Sequence, residues 1–219
     1  MKTSTIAAFA AGVITTGSIA TLVAAGPKDK KDDHHHTDAH THTDAPDPME
    51  MSTEEMMAAW MELGTPGEKH KTMLKDVGTW TAHTKFLMDP STPDVWTEGE
   101  GKCVIEPMLD GRFIKSTFTM DFMGMPFKGV ALNGYDNGRE CYVSTWIDSM
   151  STQILTMTGH MQDDGSLVME GRSFMPGMGE YDMKIVYTWD SEDQWTETFY
   201  DKMPGMGYVN TGIITFTRE

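Results

Sequence analysis

Three methionine pairs in this chain are spaced as a soft metal would need them. Met123 and Met125 form a Met-x-Met, while Met175/Met178 and Met203/Met206 each form a Met-x-x-Met. Thioethers suit Cu(I), but the same flexible, polarisable side chains also make an adaptable apolar rim at a ligand portal. A second candidate ligand set lies upstream, where His34, His35, His36, His40 and His42 crowd into an acid-rich tract. Imidazoles at that density take Zn²⁺ or Cu²⁺ weakly and with little choice of geometry, and a solvated linker that chelates incidentally is the plainer reading. One carboxylate stands apart. Glu197 shares a strand face with Trp195 and Phe199, and on an inward face it would carry the raised pKa of a general acid, or else pair structurally with an arginine or a hydroxyl.

The chain has only two cysteines, Cys103 and Cys141. Export would favour a disulfide between them. Formed inside a barrel, that bond turns Tyr142 and Trp146 outward. Two free thiols would instead let the Tyr142–Ser144–Trp146 face line the interior. No nucleophile elbow, H-E-x-x-H, Walker loop or dinucleotide-binding glycine fingerprint is present, so no catalytic residue and no cofactor is indicated, and the reading leans away from an enzyme. His83 and His160 fall on outward faces. His70 lies on the apolar face of a helix, as a packed side chain would.

The elements that must position these residues change character along the chain. Residues 1–25 read as a signal peptide, with Lys2, an apolar run of small residues and Val23-Ala24-Ala25 before Gly26. No cysteine follows to carry a lipid anchor, and no stable membrane insertion is expected after cleavage. Residues 26–50 are a His/Asp-rich linker too poor in apolar residues to fold, so disorder is expected there. Residues 51–77 hold one or two short helices. The first spans 52–63, with Ser52 and Glu55 as a capping box. The second starts with Thr65 as N-cap, Pro66 at the first position and Glu68 reaching back, and Gly78 ends it.

From residue 78 to 219 the hydrophobic period is two, and about ten strands follow. They fall near 79–88, 94–105, 112–120, 127–135, 139–147, 152–161, 166–174, 180–189, 194–201 and 208–218. Asn137-Gly138 predicts a tight type I′ hairpin turn. A long antiparallel meander with one apolar face removes its edges by closing, so the fold class is all-β: an up-and-down barrel. Alternate loops then share an end. One end is mostly tight and acidic and carries the helices. The other holds a methionine in every loop, which makes a methionine-lined mouth.

Gly78-Thr79-Trp80 after a helix, with Arg218 near the last strand's end, resembles the lipocalin/calycin signature. That likeness implies a Trp80–Arg218 stack closing the barrel floor. A longer series of words resembles the bacterial domain-of-unknown-function family numbered 1579: GTPGEKH, GTW, MDP, LDGRF, FMGMPFKG, GYDN, YVSTWIDSMST and TFTR, over residues 64–219. The resemblance implies a calycin-like barrel and no settled activity.

With a formal net charge of −16, the chain repels nucleic acid and anionic membrane surfaces. The leading expectation is an exported protein of the periplasm or cell envelope of a bacterium that binds a small apolar ligand in its barrel. Phe86, Ile114, Phe118, Ile185, Tyr187 and Phe216 are its candidate lining, unless those side chains fill a dry core. Copper or zinc binding through the methionine mouth and the histidine tract is the alternative, and a partner-binding module without a small ligand is the next.

Overall fold

The computed structural model describes residues 51–219, so the leader and the histidine-bearing linker lie outside the described residues. Thr53–Leu63 form α1, a helix of which no residue is buried. Its start is the expected capping box: the Ser52 N–H and hydroxyl both donate to Glu55 Oε2 at 2.8 Å, and the Glu55 N–H donates to Ser52 Oγ at 3.2 Å.

Glu68–Met73 form α2, and a 3₁₀ turn, Leu74–Asp76, continues it. Its cap differs from the expectation. Gly67 is the N-cap, which makes Glu68 the first helical residue and leaves it too near to reach back. His70 takes that role instead. Its Nδ1 accepts the Gly67 N–H at 3.0 Å, so its Nε2 carries the proton and donates to the Tyr135 carbonyl at 3.1 Å. Thr65 serves elsewhere, its carbonyl accepting from Asn137 Nδ2 at 3.0 Å.

Ten strands follow: β1 Gly78–Leu87, β2 Trp96–Met108, β3 Phe113–Phe122, β4 Met125–Asp136 and β5 Cys141–Asp148, then β6 Leu155–Met161, β7 Leu167–Met175, β8 Gly179–Ser191, β9 Gln194–Met203 and β10 Gly207–Arg218. Each pairs antiparallel with the next, and β1 pairs with β10, so the sheet closes. Trp80 stands opposite Arg218 and Phe86 opposite Gly212 along that seam. Alternation does the rest. Trp80, Ala82, Thr84 and Phe86 are buried on β1, while His83 and Lys85 between them are exposed.

The floor of the barrel is a stack of rings held by one arginine. The Arg218 guanidinium lies 4.1 Å from the Trp80 ring centroid, Trp80 meets Trp195 edge-on at 4.1 Å, and Trp195 stacks on Phe216 at 4.5 Å. Arg218 also donates to the carbonyls of Val77, Lys75 and Glu192 at 3.0, 2.8 and 3.2 Å, and to Asp193 Oδ1 at 2.8 Å. That fork ties β10 to the 3₁₀ turn and to the turn between β8 and β9. The guanidinium also explains Gly78, whose φ is +149° and where a Cβ would lie 2.7 Å from Arg218 Nη1.

The turn at Asn137-Gly138 is not type I′. Four residues, 137–140, separate β4 from β5, and Glu140 makes the left-handed step at φ +53°. Asp136 Oδ1 accepts the N–H groups of Gly138 and Arg139 at 2.9 and 3.0 Å. That side-chain cap favours a longer, right-handed turn before the chain reverses.

Candidate functional site

Closure leaves part of the inward face of β3, β4 and β5 short of bulk, beside the rings of Phe118, Phe122, Phe127 and Trp146 on the same strands. Ser116 stands opposite Ala131 and Asn133 opposite Ser144, so small or polar side chains occupy positions where a filled core would place leucine or phenylalanine. The result is an interior cavity of about 150 Å³. An apolar void of about that volume accepts a benzene-sized molecule.

Five of the six candidate lining residues, Phe86, Phe118, Ile185, Tyr187 and Phe216, do line it. Ile114 is buried in the same core but lies outside the lining. Trp146 closes one side. Its ring stacks with Phe127 at 6.3 Å, and its Nε1 donates to Asp148 Oδ2 at 3.1 Å. The loop contribution comes from one connection alone. Ser151 and Gln153, between β5 and β6, reach the lining, which places the opening at the end away from α2. Gln153 is held there by donating to Ser173 Oγ at 3.2 Å and accepting from the Phe174 N–H at 3.3 Å.

Glu197 faces the cavity. The surface it retains is cavity surface, and loss of bulk water pushes its carboxyl up to about 7, with Asp76 adding to the rise and a Trp195 side-chain hydrogen bond opposing it. Across the β8–β9 register its partner is Tyr187, whose phenol is held well above its ordinary value by burial and by Glu197. Cys103 also lines the cavity, and burial, with a contribution from Glu197, pushes its thiol up to about 12. Such a thiol is neutral and unreactive.

The disulfide does not form: Cys103 and Cys141 are both free and buried. The reason is strand period. Ser144 and Trp146 line the cavity, so Cys141, an odd number of positions away on the same strand, sits on the opposite side of the wall from Cys103.

The methionine mouth is also different from its expected form. Met123, Met125 and Met206 are exposed, Met175 and Met178 pack half-buried against the core, and Met203 is buried. The Met203/Met206 pair is thus split between 4% and 60% exposure, because the turn between β9 and β10 points only one of them inward. None of these six lines the cavity; Met120, Met157 and Met183 from the strands do. Among the described residues no group of three or more His, Cys, Asp or Glu side chains is gathered as a metal site. The five linker histidines lie outside the described residues.

Sequence reasoning did not single out Ser116, Asn133, Asp148, Ser151 or Gln153. The available signal was parity, since Ser116 shares a strand face with Ile114 and Phe118, and Asn133 with Tyr135 and Ala131.

A closed antiparallel barrel with an inner cavity and a tryptophan–arginine floor is a calycin-like protein. Residues 65–218 match the family described as protein of unknown function (DUF1579), and the chain belongs to that family. No curated protein matches it by sequence. Among solved structures it is similar to Rv2717c from M. tuberculosis, at 14% identity and TM-score 0.51 over 71% of this chain and 99% of that one. It is more loosely similar to the S-type phycobiliprotein lyase CPES from Guillardia theta, at 13% identity and TM-score 0.47 over 73% and 96%. At such identities the likeness is one of fold.

Proposed function

We propose that this protein, exported to the periplasm or cell envelope, binds a small apolar molecule inside the barrel. The cavity of about 150 Å³ carries this reading. A barrel whose inward residues filled it would leave no such space, and here the space is lined by aromatic rings together with the small side chains of Ser116, Ala131 and Ser144. Ser116, Asn133, Ser144 and Tyr187 belong to its lining, which gives a ligand polar residues to orient on. The volume suits one ring or a short chain rather than a large pigment. Export rests on residues 1–25, whose cleavage after Ala25 is read directly by N-terminal sequencing of the mature chain. Native mass spectrometry of the protein taken from its own envelope tests the ligand. The expected result is added mass that is lost on solvent extraction, and a bare chain overturns the reading.

A further inference from the structure

We propose that the cavity is selective for a small apolar amine, bound as the ammonium with its charge against Glu197. This rests on the ligand-binding reading above and names the ligand's chemistry. The cavity wall carries two acids, Glu197 deep inside and Asp148 near the opening, and among the described residues it carries no lysine, arginine or histidine. An anionic guest such as a fatty acid would therefore meet two carboxylates and no counter-charge in a poorly hydrated space. A cation meets the reverse.

The register builds an aromatic surround for that charge. On the inward face of β9, Glu197 lies between Trp195 and Phe199, two residues away on either side. Tyr187 is its direct partner on β8 and Ile214 its partner on β10. Phe216 stacks behind Trp195. Trp195 gives Glu197 a side-chain hydrogen bond while its ring stacks on Phe216, and aromatic rings about a carboxylate attract an alkylammonium through their quadrupoles and one charge-assisted hydrogen bond. The other titratable groups felt at Glu197 are Tyr187 on β8, Cys103 on β2 and Asp76 in the 3₁₀ turn. Two of these are neutral at pH 7, and the third is an acid whose field also favours a cation. Ser116, Asn133 and Ser144 on β3, β4 and β5 supply neutral hydrogen-bonding groups elsewhere on the wall.

Three probes of nearly one shape separate the alternatives: 2-phenylethylamine, 2-phenylethanol and phenylacetate, titrated calorimetrically into the delipidated full chain and its Glu197→Gln variant. The amine should bind, the alcohol on the order of tenfold more weakly, and the acid more weakly still. Glu197→Gln should bring the amine to the level of the alcohol while alcohol binding persists, which also reports that the variant is folded. Amine affinity should rise about tenfold or more per pH unit as pH approaches 7 from below and then level off, because an alkylamine stays charged to about 10 while the Glu197 carboxyl, and Asp76 whose field reaches it, lose their protons. Equal or tighter binding of the alcohol or of phenylacetate overturns the amine assignment and leaves the ligand-binding reading standing. So does an amine preference that survives in Glu197→Gln. Binding of none of the three, in a protein whose native mass is also bare, overturns both.

Discussion

Every nitrogen of the Arg218 guanidinium is engaged, with three carbonyls, one carboxylate and the face of Trp80 as partners. Lysine has the charge but not the planar fork, so Arg218→Lys should lower stability by about 2–3 kcal/mol, read as a shift of the urea midpoint at unchanged m-value. Asp201 poses the opposite problem. It is 1% exposed, its Oδ2 accepts from Thr211 Oγ1 at 2.8 Å, and its Oδ1 has no partner among the described residues. Burial pushes its carboxyl up to about 6. Asp201→Asn should therefore flatten the dependence of melting temperature on pH between about 4 and 6. Legibility at this scale followed contrast. Glu197 was visible because an acid between two aromatics breaks an apolar face. Ser116 and Ser144 were not, because a small polar residue facing inward looks, in sequence, like one facing water.

The β4–β5 pair has a very narrow clearance in the barrel wall. A Cβ built on Gly129 would fall 2.1 Å from the Trp146 ring, so the indole lies directly against bare backbone. Gly129→Ala should displace Trp146 from the cavity wall, at about 1–3 kcal/mol in stability, with a shift in tryptophan emission and loss of probe binding. Strand number, order and inward faces were legible at this scale because a period of two persists from β1 to β10. Turn chemistry was less so. Asn137-Gly138 has the composition of a two-residue turn, yet the Asp136 side chain competes for the same N–H groups and wins. The cap of α2 was displaced in the same manner, since the His70 imidazole can reach Gly67 and a tyrosine carbonyl at once.

Acidity acts on the molecule as a whole. Burial, the largest cause in each case, raises Asp76 to about 6, Glu197 to about 7 and Asp201 to about 6, from ordinary values of 3.8, 4.5 and 3.8. Between about pH 4 and pH 7 the folded state thus holds more protons than the unfolded chain, and stability falls as pH rises through that window. Glu98, Asp182 and Glu219 are held below their ordinary values, chiefly by hydrogen bonds from Lys85, Lys202 and Lys102. They work the other way, but they lie on the surface where such pairs contribute little. The melting temperature should therefore be higher at pH 5.5 than at pH 8, and scanning calorimetry at the two values checks it.

The seam between β1 and β10 joins Trp80 to Arg218 across nearly the entire folded sequence. During synthesis, β1 emerges long before its second neighbour exists, and until residue 218 is made the growing sheet has an open edge on both sides. Loop-closure entropy makes such a distant contact slow to form. A chain that cannot complete its fold until its last strand is available stays loose through most of its synthesis, and the step that locks it comes last of all.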